Sequence, residues 1–78
     1  MKRYMIEVNS KSVKVLDDPV GFATHYNVGR TQVTLQYDKD MHKVYVERNP
    51  MLKTKFFADN EYDKAKEYVS ELLDILTR

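Results

Sequence analysis

The chain has no cysteine and no tryptophan, and only two glycines and two prolines in 78 residues. Without cysteine no disulfide can staple the fold, and no thiolate can attack a substrate or ligate a metal. Two glycines, Gly21 and Gly29, cannot make a glycine-rich phosphate cradle. No apolar run approaches the roughly 20 residues needed to span a bilayer. The opening Met1-Lys2-Arg3-Tyr4-Met5-Ile6-Glu7 has a basic pair but no apolar stretch behind it, so a signal peptide is not expected. No excess of one charge sign appears either: 13 Lys and Arg stand against 12 Asp and Glu. These absences lead us to expect a cytoplasmic protein with no membrane contact.

What is present suits one small domain over residues 1–78. A chain this short buries roughly 60% of its unfolded surface, enough for one core layer but not for a second core around a deep pocket. That lowers the prospect of a cofactor, and none is expected.

Apolar periodicity gives the architecture. Residues 3–8 alternate, with Tyr4, Ile6 and Val8 on one face and Arg3, Met5 and Glu7 on the other. Asn9 to Ser12 is polar and turn-like, and Val13 and Val15 resume the alternation. Residues 17–29 are irregular. Asp18 and Pro19 suit a helix start, so 19–26 reads as either a short helix or an ordered loop. Residues 30–37 and 42–48 form a hairpin about Asp38-Lys39-Asp40. Residues 52–57, after the breaker Asn49-Pro50, read as a lysine-bearing edge strand. From residue 59 the period becomes helical, with Tyr62, Ala65, Val69, Leu72 and Leu76 on one stripe. The expectation is an α+β fold: a mainly antiparallel sheet of four to five strands on one long C-terminal helix.

Catalytic constellations are missing. Ser10, Ser12 and Ser70 have no nucleophile-elbow context, and the adjacent pair Asp17-Asp18 fits capping better than acid–base chemistry. In a strand, Asp38, Asp40 and His42 would point one way and suit a divalent metal. Asp-Lys-Asp is also ordinary turn chemistry, and a turn breaks that alternation, so no metal site is expected. The chain reads as a non-enzyme.

Charge distribution is more informative than charge total. Residues 1–57 hold ten cations (2, 3, 11, 14, 30, 39, 43, 48, 53, 55) and six acids (7, 17, 18, 38, 40, 47), while residues 58–78 hold three cations and six acids. The sheet layer is basic and the helix layer acidic. If the helix covers the valine face, the opposite face presents Arg3, Arg30, Gln32, Thr34, Gln36, Lys43 and Tyr45, with Lys53 and Lys55 beside them. Cations, amides and an aromatic suit contact with a protein, an RNA or a protein–RNA complex. The C-terminal Leu72-Leu73-Asp74-Ile75-Leu76 has more aliphatics than one sheet face needs. Leu73, Ile75 and Leu76 are therefore candidates for self-association, and a homodimer is expected.

In size and makeup, though by no motif, the chain resembles the small stand-alone accessory proteins of phages and bacteria. That resemblance implies a non-enzymatic binding protein that inhibits or regulates a host macromolecule. The alternatives are a nucleic-acid-binding module on the same face, or a homo-oligomeric structural subunit.

Overall fold

The computed structural model describes residues 1–50 and 53–78. Six strands run β1 (Lys2–Val8), β2 (Lys11–Asp18), β3 (Ala23–Val28), β4 (Thr31–Asp38), β5 (Lys43–Asn49) and β6 (Lys53–Ala58). A 3-10 turn (Asp59–Glu61) leads into helix α1 (Tyr62–Leu76). The strands lie in sequence order in one sheet, and every neighbouring pair is antiparallel. The expected α+β layering is present, with six strands where four to five were read. Leu52, expected to open the last strand, lies outside the described residues.

The additional strand is β3, in place of the short helix or ordered loop expected over 19–26. The helix-start pair has another use here. Asp18 Oδ1 accepts the backbone N–H of Val20 at 3.0 Å and of Gly21 at 3.2 Å. An aspartate that satisfies the next N–H groups can open a turn as well as a helix. Phe22 then takes a left-handed φ of 51° and delivers the chain into β3. Thr24 and Tyr26, which weaken a helix, suit a strand. They face Val15, Val33 and Leu35 across the ladders.

The next long turn repeats this geometry twenty residues on. Asp38 Oδ1 accepts N–H bonds from Asp40 and Met41, both at 3.1 Å, and His42 has φ 51°. The opposite end of the sheet uses two-residue turns. Asn9 and Ser10 both have positive φ, 51° and 62°, as a type I′ turn requires, and Gly29 takes φ 59° in the next. Long and short turns therefore gather at opposite ends of the meander.

The core lies between the sheet and α1. Val13, Val15, Val33, Leu35, Val44 and Val46 are buried against Ala65, Val69, Leu72 and Leu73. The helix packs on β4, β5 and β6, and its last turn is tied to the far side of the sheet. There Asn9 Nδ2 donates to Asp74 Oδ1 at 2.8 Å and to Thr77 Oγ1 at 3.0 Å. Thr77 Oγ1 itself donates back to the Leu73 carbonyl at 2.6 Å. Thr77 is the end of the helix and is 1% exposed, so this clamp is part of the interior.

Candidate functional site

Strand register decides which side chains are free. Two residues directly opposite on neighbouring strands share a face. The ladder Tyr4↔Val15↔Tyr26↔Val33 lies on the helix side. So does Tyr37↔Val44↔Phe57. The open side carries three cross-strand rows. One is Asp18, Ala23, Gln36, Tyr45 and Phe56. The central one is Arg3, Leu16, His25, Thr34, Glu47 and Thr54. The third is Met5, Lys14, Asn27, Gln32 and Asn49. No helix or strand lies over this face among the described residues.

Most of the expected contact residues fall on that face, but three corrections follow. Lys53 and Lys55 were read beside Lys43 on the open side. They pair with Arg48 and Val46, whose side chains are on the helix side. Lys55 Nζ accordingly sits 4.7 Å from the Tyr68 ring centre and 5.4 Å from that of Phe57. Thr34 is on the open side but only 8% exposed, and its hydroxyl is 3.0 Å from His25 Nδ1. It supports the face rather than presenting itself. Arg30 is exposed but stands in the two-residue turn beside Gly29, at the rim.

The same register moves Phe56 onto the open side, and this was not foreseen. Phe56 is 63% exposed, and its ring centre lies 5.9 Å from that of Tyr45. Lys43 Nζ stands 5.7 Å over the Phe56 ring. The Tyr45 hydroxyl donates to Gln36 Oε1, and Gln36 Nε2 donates to the Gly21 carbonyl at 3.4 Å. Burial raises the Tyr45 pKa above its ordinary value, and the nearby Glu47 and Asp38 carboxylates push the same way. The phenol is therefore a fixed, neutral hydrogen-bonding group. Gln32 Nε2 donates to Asn27 Oδ1 at 3.1 Å in the third row. The patch is an aromatic pair on a braced polar floor.

The electrostatics of the two sides also differ from expectation. The open face carries Arg3, Lys14 and Lys43 against Glu7, Asp18, Asp38 and Glu47, so it is not basic. The surplus cations lie on the helix side. Lys2, Lys11, Arg48, Lys53 and Lys55 stand there against Asp17. Two of them reach the helix: Lys11 Nζ is 3.4 Å from the Arg78 carbonyl, and Lys55 Nζ stands over Tyr68.

The surplus aliphatics at the C-terminus are largely absorbed. Leu73 is 4% exposed within the chain's own core, and Leu76 packs against that core. Ile75 is 55% exposed and remains as a single surface residue. A sheet of six strands offers more apolar surface than the four or five expected, so it takes more of the helix.

The Asp38, Asp40 and His42 set does not converge on one point. Asp38 Oδ1 is occupied by turn N–H groups, and His42 Nδ1 is 3.8 Å from Asp59 Oδ2. Among the described residues no three such groups are placed to hold a metal ion.

One concavity escaped sequence reasoning. A cleft of about 710 Å³ opens at the long-turn end, lined by Asp17, Asp18, Phe22, Tyr37, Asp59 and Tyr62 among others. Phe22 and Tyr37 meet edge to face there, with ring centres 6.5 Å apart. Its acids have structural duties: Asp17 Oδ1 accepts the Thr24 hydroxyl at 3.0 Å, and Asp18 holds its turn. The residues are far apart in sequence, so no local pattern could reveal it.

No family model matches the chain, and neither does any curated protein or solved structure. No described helix is long and apolar enough to cross a membrane.

Proposed function

We propose that the chain is a non-enzymatic binding protein that inhibits or regulates a host macromolecule, of the type found among phage and bacterial accessory proteins. Its contact surface is the open sheet face around Gln36, Lys43, Tyr45 and Phe56. The observation that carries this reading is the Tyr45–Phe56 pair, which stands on a sheet face with no element over it among the described residues. Aromatics of this kind are enriched at protein contacts because they desolvate a large area while losing few rotamers. The Tyr45 hydroxyl is already held by Gln36, so less freedom remains to be lost on binding.

The partner we favour is a protein. A nucleic-acid surface needs a cationic field to displace counterions from the phosphates. Four carboxylates among seven charged positions on this face oppose such a field. Mixed charge with polar amides around an aromatic centre fits a protein contact instead.

The test is affinity capture from a lysate of the source organism, with and without nuclease, using wild type and Phe56→Ala. The proposal expects one protein retained after nuclease treatment and lost with Phe56→Ala. Capture that disappears with nuclease, or that falls steeply with salt, would transfer the face to the nucleic-acid reading.

A further inference from the structure

We propose that β1 is a homodimerisation edge, pairing antiparallel with β1 of a second copy about a twofold axis through Met5. The type I′ turn at Asn9-Ser10 closes on the pair Val8↔Lys11. In such a hairpin the closing pair exchanges both of its hydrogen bonds, and bonding then alternates along the strand. Val8, Ile6, Tyr4 and Lys2 therefore bond to β2. Arg3, Met5 and Glu7 direct their N–H and C=O groups away from the sheet. A strand edge with free N–H and C=O groups is a template for another strand.

Antiparallel pairing centred on Met5 puts Arg3 of each copy opposite Glu7 of the other, twice. Both residues lie on the open face, so each pair forms side by side. Tyr4 falls opposite Ile6 on the helix side, also twice. Tyr4 is 37% exposed and Ile6 is partly buried, so both have apolar surface left to cover. Met5, 55% exposed, meets its own copy on the axis. The outward backbone groups of Arg3, Met5 and Glu7 also match in this register. Shifting the centre to Tyr4 or to Ile6 keeps the backbone match but separates Arg3 from Glu7. One register thus satisfies charge, apolar contact and backbone at once.

The other edge behaves differently. β6 carries Lys53 and Lys55, and lysines on an edge oppose pairing with a copy of themselves. A β1 edge that pairs with itself gives a finite dimer, whereas β1 against β6 of another copy would pass from copy to copy as a ring or a filament. The dimer joins two six-stranded sheets into one of twelve and doubles the open face. It does not depend on what that face binds.

The test is sedimentation equilibrium on the purified chain from low micromolar to millimolar concentration. Wild type is expected to dimerise. Arg3→Glu and Glu7→Arg each place like charges opposite one another at two positions, and each should raise the dimer Kd by about tenfold or more. The double variant R3E/E7R restores both pairs and should restore the dimer. Met5→Pro removes an outward N–H that the internal ladder does not use, and should give a monomer whose circular dichroism remains that of wild type. A wild type that stays monomeric at millimolar concentration overturns the proposal. So does a dimer indifferent to the single charge reversals, or one that the double variant fails to recover.

Discussion

The two faces of the sheet are built from the same strands, yet their side chains are under different constraints. At the centre of the helix side the cross-strand neighbours are mainly Val, Leu, Tyr and Phe, with charged residues toward the margins, and six of the aliphatics are all but inaccessible to water. On the open side the neighbours are amides, hydroxyls, mixed charges and the Tyr45–Phe56 pair. The first face holds the chain together by apolar burial, which is cooperative and intolerant of lost volume. The second is braced by local hydrogen bonds that cost little to alter. A sheet of this kind can change what it binds without changing how it folds, because alternate residues answer to separate constraints.

The helix side is most sensitive at Leu35. It is 2% exposed at the centre of the helix side, and Leu35→Ala should cost about 2–5 kcal/mol. For a domain whose total stability is of order 5–10 kcal/mol, the urea midpoint should fall steeply or the fold be lost. A smaller loss is expected when the clamp between the helix end and the β1–β2 turn is cut. Asn9→Ala removes the donor to Asp74 and Thr77 and puts alanine, which tolerates the left-handed region less well than asparagine, at φ 51°; together these should cost about 1–2 kcal/mol. Thermal unfolding would measure it. A change on the open face should be gentler still. Phe56→Ala loses one aromatic contact and should shift stability by under about 1 kcal/mol in the same assay.

The smallest effect expected is electrostatic. The hydrogen bond from Asn9 and then the one from Arg78 hold the Asp74 pKa below its ordinary value of 3.8. A lowered carboxyl stabilises the folded state at pH above its unfolded pKa, and that contribution fades as pH falls through the folded value. Asp74→Asn should therefore shallow the acid limb of the stability curve below about pH 4 while leaving its slope near neutrality unchanged.

Much of this division could be read from the sequence, because period two and period 3.6 are local signals. The strands at 30–37 and 42–48 and the C-terminal helix stand nearly where alternation and the leucine stripe put them. What failed was any feature decided by a neighbour. Asp18-Pro19 can begin a helix or a turn, and only the pairing of Thr24 and Tyr26 with β2 and β4 selects the turn. The face of Lys53 and Lys55 depends on how β6 lies against β5. A one-residue difference in register reverses every side chain of a strand. That one slip moved two lysines off the candidate surface and moved Phe56 onto it. It also turned a face expected to be basic into one with slightly more acid than base.

If binding resides on the open face and folding on the other, two single-site variants on β6, used side by side to capture the partner, separate the two. Phe56→Ala alters the open face, and Lys55→Ala alters the helix side one residue away. Phe56→Ala is expected to lose the partner while Lys55→Ala retains it at the wild-type level, both remaining folded. Retention by Phe56→Ala together with loss by Lys55→Ala would contradict that division.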